Sequence, residues 1–99
     1  MILPVEALPI PARPFRVTAV RAIGSTSLHL TFDDGLSGEI NLDHHIDWQG
    51  VFAELKADSQ LFSQVHIHPE VHVVCWPNQA DLDSEVLHAR LIWELAQRK

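Results

Sequence analysis

Cysteine is almost missing from this 99-residue chain. Cys75 is the single copy, so no internal disulfide can form, and a reducing, cytoplasmic location is expected. Tyrosine is absent and there are only four glycines, none of them in a glycine-rich loop of the kind that cradles phosphate. No apolar run approaches the ~20 residues of a membrane-spanning helix. The start, Met1-Ile2-Leu3-Pro4, lacks the basic segment of a signal peptide. Positive charge is scarce through the middle: between Ala22 and Ala89 one lysine, Lys56, stands against eleven aspartates and glutamates. Nucleic-acid binding relies on clustered Lys and Arg that displace counterions from phosphate. Neither nucleic acid nor membrane is therefore expected as a partner. A protein partner is expected, or a second copy of the chain in a homodimer.

What is present reads as one globular domain. Hydrophobic residues make up 46% of the chain and charged residues 20%, and a chain of this length can bury one modest core. Prolines 4, 9, 11 and 14 forbid a helix over residues 1–14 and predict an extended, proline-rich arm, which leaves 15–99 as the domain.

Phe15 to Ile23 reads as a strand with Phe15, Val17 and Ala19 on one face. Leu28-His29-Leu30-Thr31-Phe32 alternates cleanly, and Asp33-Asp34-Gly35 turns the chain back. A three-residue loop pairs Phe32 with Leu36, Leu30 with Gly38 and Leu28 with Ile40, keeping the apolar residues on one face with Gly35 in the left-handed position. Val51 to Ala57 is a short helix, and Asp58 caps a further turn. A second hairpin is expected to pair Val65 with Cys75 and Ile67 with Val73 around a Pro69-Glu70-Val71 loop. A final helix from Ser84 to about Gln97 is capped by Asp83, with Val86 and Trp93 widening the apolar stripe of Leu87, Leu91 and Leu95. The expected fold is a two-layer α+β domain, an antiparallel β-meander in the order β-β-β-α-β-β-α with helices on one face.

Four ordered motifs carry a family resemblance: Phe32-Asp33-Asp34-Gly35, Gly50-Val51-Phe52, Leu61-Phe62, and Trp76-Pro77-Asn78-Gln79-Ala80-Asp81-Leu82. Together they resemble an uncharacterised bacterial family, domain of unknown function 2442, over roughly residues 15 to 91. Gln79 stands where that pattern has a turn glycine, which weakens a turn that needs positive φ there unless Asn78 supplies it. The resemblance implies an α+β meander and no enzyme activity. Some relatives carry a DNA-binding helix-turn-helix after this domain, which is not expected here, and others look like partners of small neighbouring proteins in toxin–antitoxin-like pairs.

Seven histidines raise the question of metal. His66 and His68, two apart on a strand, share a face, and the expected register sets His72 opposite His68, so these three form the candidate metal set. Adjacent His44 and His45 are expected to diverge. Cys75 is expected to be a buried, inert thiol. Asp33, Asp34, Asp81 and Asp83 are explained by turns and a cap. No catalytic constellation is found and no cofactor is expected. Trp76 is expected to be partly exposed or covered by the arm, and with Asn78, His66 and Val74 it makes the candidate interaction surface. The chain thus reads as a non-catalytic interaction or regulatory module, an antitoxin-like partner of a neighbouring small protein. The alternative is a metal- or small-ligand-binding domain using surface histidines.

Overall fold

A computed structural model describes residues 16–98; the proline-rich arm, with Phe15, lies outside the described residues. Strands β1 (Val17–Ile23), β2 (Ser27–Phe32) and β3 (Ser37–Asn41) lead through a 3-10 turn (Leu42–His44) to helices α1 (Val51–Ala57) and α2 (Ser59–Phe62). Short strands β4 (His66–Ile67), β5 (Val74–Cys75) and β6 (Asp81–Leu82) precede helix α3 (Ser84–Ala96). The strands form two three-stranded antiparallel meanders, β1-β2-β3 and β4-β5-β6, so the fold is α+β as the pattern predicts. Asp58 and Asp83 cap α2 and α3 through their side chains.

The first hairpin keeps the expected register, with Leu28 opposite Ile40, His29 opposite Glu39 and Leu30 opposite Gly38. β1 departs from expectation. A bulge between Val17 and Ala19 inserts Thr18, which shifts the alternation by one. Val17 is therefore buried while Ala19 faces out and Val20 packs on the core.

The two family turn motifs prove to be the same device. In the first, the Phe32 amide donates to Leu36 O at 2.8 Å and the Gly35 amide to Phe32 O at 3.0 Å. In the second, the Trp76 amide donates to Ala80 O and the Gln79 amide to Trp76 O, both at 3.0 Å. Asp34 Oδ1 accepts from the Leu36 amide at 3.0 Å, and Asn78 Oδ1 from the Ala80 amide at 3.1 Å. This second turn creates β6, a strand the sequence does not announce. Gly35 has φ +92° and Gln79 φ +74°, so Gln79 itself takes the left-handed position and Asn78 does not relieve it. Such a conformation costs a non-glycine residue about 1–2 kcal/mol. Gln79→Gly should raise stability in urea unfolding by about 0.5–1 kcal/mol, since the entropy of glycine in the unfolded chain offsets part of the relief.

The β4–β5 register is one residue away from expectation: His66 pairs with Cys75 and Ile67 with Val74. The loop spans four residues rather than three, with the His68 amide bonded to Val73 O and His72 at φ +59°. The His68 ring stabilises this longer loop, Nδ1 accepting from the Glu70 and Val71 amides at 3.1 and 3.3 Å.

One core gathers Val17, Leu28, Leu30, Phe32 and Ile40 from the first sheet, Leu55 and Phe62 from α1 and α2, Val74, Trp76 and Ala80 around the second, and Leu87 and Leu91 from α3. At Gly38 the helix comes close: a Cβ there would lie 3.1 Å from Leu95 Cδ2 and 3.3 Å from Leu91 Cδ1. Glycine is what lets α3 rest on β3.

Candidate functional site

Helix α3 carries its polarity on the wrong sides. Leu87 and Leu91 recur at i and i+4 and face the core, but the i+7 place on that stripe is Glu94, which is buried, as is His88. Meanwhile Val86, Ile92 and Trp93, expected to broaden the inner stripe in the case of Val86 and Trp93, are each about 50% exposed (52%, 51% and 50%). Val86, Ala89, Trp93 and Ala96, all exposed, run at i, i+3, i+7 and i+10 down the outer face.

Each buried polar group on the inner side has a partner across the fold. His88 Nε2 lies 2.8 Å from Asp34 Oδ2, and its ring stands edge-on to Phe32 at 4.8 Å. The His88 hydrogen bond, then the Leu36 amide, hold the Asp34 carboxyl below its usual value of 3.8. A carboxyl depressed in the folded chain stabilises it above the unfolded pKa, and that contribution is lost as pH falls through the lower folded value. Stability should therefore decline as pH drops below about 4, and Asp34→Asn should flatten that part of a pH series of urea unfolding. The effect is small because the Asp34 side chain is 37% exposed.

Glu94 is the centre of a denser cluster. Its Oε1 accepts from the Asn41 amide at 3.3 Å and faces His44 Nδ1 at 3.3 Å and His45 Nε2 at 3.0 Å. Oε2 accepts from Arg98 Nη2 at 3.3 Å, and the same Arg98 nitrogen reaches Glu39 O at 2.6 Å. Burial pushes the Glu94 carboxyl up, but the bonds from His45, the Asn41 amide and His44 outweigh it and leave the carboxyl below its usual range.

The turn that delivers the two histidines is pinned locally. Asn41 caps it through the Asp43 amide, and Asp43 Oδ1 accepts from Trp48 Nε1 at 2.7 Å and Lys56 Nζ at 3.2 Å. In this tight turn adjacent histidines do not diverge: both reach one carboxylate, and a ligand atom from each of His44, His45 and Glu94 lies within 4.8 Å of the others. Trp93 meets the His45 ring edge-on at 5.5 Å. His44, His45, Arg90 and Trp93 line an open pocket of about 180 Å³.

The residues singled out from sequence fare differently. Trp76, expected partly exposed or covered by the arm, is 2% exposed: its ring stacks on Phe62 at 5.8 Å, stands edge-on to Phe52, and donates Nε1–H to Phe62 O. Val74 is fully buried. Both are core residues because the aromatic ring lies over α1 and α2 instead of leaving the sheet. Asn78 is committed to structure, its Nδ2 donating to Val51 O and to Glu54 Oε1, both at 2.9 Å. His66 Nδ1 donates to Gln64 O, and its Nε2 lies 3.2 Å from Cys75 Sγ. Burial and then Asp81 push the Cys75 thiol up, as suits an inert thiol. With the register shifted, His72 does not stand opposite His68, and His66, His68 and His72 do not form a ligand group among the described residues. The cluster that does form was missed by reasoning on spacing. A carboxylate on the apolar stripe, at i+7 from Leu87, was the available signal.

The turn motifs, the bulged first strand and the capped start of the last helix all fall within residues 17–92, and those residues match the model of a family described as protein of unknown function (DUF2442). The chain belongs to DUF2442. The Trp-Pro-Asn motif, one of the four that resemble DUF2442, is thus the second copy of the Phe-Asp-Asp-Gly turn, and its role here is architectural. No curated protein and no solved structure matches the chain. No helix among the described residues is long and apolar enough to cross a membrane.

Proposed function

We propose that this chain is a non-catalytic protein-interaction module that binds a partner protein on the outer face of α3. The observation that carries the reading is a helix apolar on both sides, with Val86, Ile92 and Trp93 about half exposed while Glu94 and His88 are buried. A surface helix ordinarily turns its polar residues outward, and one that is apolar all round is normally covered. Tryptophan flanked by aliphatic residues and an arginine, here Arg90, is the composition of a binding hot spot. The occupant is a different protein with an apolar patch that receives Ile92 and Trp93 and a carboxylate that meets Arg90. The net charge of −6 opposes self-association. An antitoxin-like or regulatory role for a small neighbouring protein fits this chemistry.

Co-expression with the product of the adjacent gene, followed by size-exclusion chromatography with light scattering, tests the reading. The expected result is a defined complex with the wild-type chain and its loss with the double variant Ile92→Glu, Trp93→Glu. Both positions are half exposed, so the variant should stay folded at a cost of about 1–2 kcal/mol, which urea unfolding checks. A complex that survives the double variant sinks the proposal. A dimer of the chain alone, split by the same variant, would assign the face to a second copy instead.

A further inference from the structure

We infer that His44, His45 and Glu94 form a binding site for a divalent transition metal of the zinc class, with an open coordination position toward the pocket lined by Arg90 and Trp93. The donor chemistry is right: two imidazoles and one carboxylate are the ligand set of open, three-residue zinc sites. The spacing is also right. Bonds of about 2.0–2.1 Å in a tetrahedron place ligand atoms about 3.3–3.4 Å apart, and His44 Nδ1 and His45 Nε2 already lie 3.3 and 3.0 Å from Glu94 Oε1. The two histidine nitrogens lie within 4.8 Å of each other and close toward about 3.3 Å to admit an ion.

The surroundings do what the outer shell of a metal site does. Arg98 holds Oε2 and the Asn41 amide binds Oε1, so the carboxylate is oriented to offer one oxygen inward. Three nitrogens converge on that oxygen, which has two lone-pair sites. One histidine contact is therefore less than a full hydrogen bond in the metal-free chain, and a cation would engage both imidazole lone pairs at once. Two of the ligands are adjacent and the third comes from the far end of the fold, so the ion would tie the 3-10 turn to α3.

The site borders the docking face, with which it shares Arg90 and Trp93, and is tested without a partner. The tag-free full chain is titrated with Co²⁺ and Zn²⁺, following Co²⁺ absorption, and its histidine ring nitrogens are followed by NMR as Zn²⁺ is added. One Co²⁺ per chain with a tetrahedral spectrum, displaced by Zn²⁺, is expected, with the His44 and His45 ring signals moving. Glu94→Gln keeps an acceptor oxygen and the fold, and His44→Ala removes a half-exposed ring; each should weaken binding by about 100-fold. His66→Ala should leave the titration unchanged. Absence of stoichiometric binding, equal affinity in the Glu94→Gln and His44→Ala variants, or ring-signal changes confined to His66, His68 and His72 would overturn the inference.

Discussion

Trp76→Ala is expected to lower the unfolding free energy by about 3–5 kcal/mol in urea titration, a large share of the roughly 5–15 kcal/mol available to a domain. The ring is 2% exposed and lies between two others, 5.8 Å from Phe62 and 6.3 Å from Phe52. Its removal opens a cavity where α1, α2 and the second sheet meet. It also strands Phe62 O, which accepts the indole N–H at 2.9 Å in a buried setting. Trp76→Phe separates the two effects: much of the area is kept and the hydrogen bond is not, so a loss nearer 1–3 kcal/mol is expected. A loss below about 1 kcal/mol for the alanine variant would mean that the ring is not a core anchor.

Glu94→Ala should be the second most damaging change, at about 3 kcal/mol by the same measurement. The buried carboxylate is the common acceptor for the Asn41 amide, His44, His45 and Arg98. Without it the His45 ring, already unpaired at Nδ1, loses its other partner inside the protein. Glu94→Gln retains an oxygen for the histidines and should cost about 1 kcal/mol. Arg98→Ala should cost less than Glu94→Ala, because its side chain is 43% exposed and water replaces the lost bonds. An alanine variant at 94 as stable as the glutamine one would show that the cluster contributes nothing beyond packing.

These two residues mark the boundary between what was legible and what was not. The β2–β3 register was readable because alternation and loop length both follow from the order Phe32-Asp33-Asp34-Gly35-Leu36, and the three-residue loop brings Leu36 and Ile40 onto the face of Leu28, Leu30 and Phe32. The caps at Asp58 and Asp83 were readable because capping is local. The second hairpin was misread by one residue. Its loop is fixed by a side chain, the His68 ring taking two backbone amides, and strand pattern carries no trace of that. The exposure of Trp76 was misjudged in consequence.

The sequence by itself determined the class of the fold, its β2–β3 hairpin, its capped helices and its membership of DUF2442. These rest on interactions between residues close along the chain, where period, turn and cap have fixed chemical signatures. The tertiary structure alone decided that His44 and His45 meet Glu94, some fifty residues away, and that Val86, Ile92 and Trp93 are left on the outside of α3. Which face of a helix is buried depends on what it packs against. Gly38 admits α3 onto β3 at one rotation, and that rotation carries a glutamate inward and a tryptophan out.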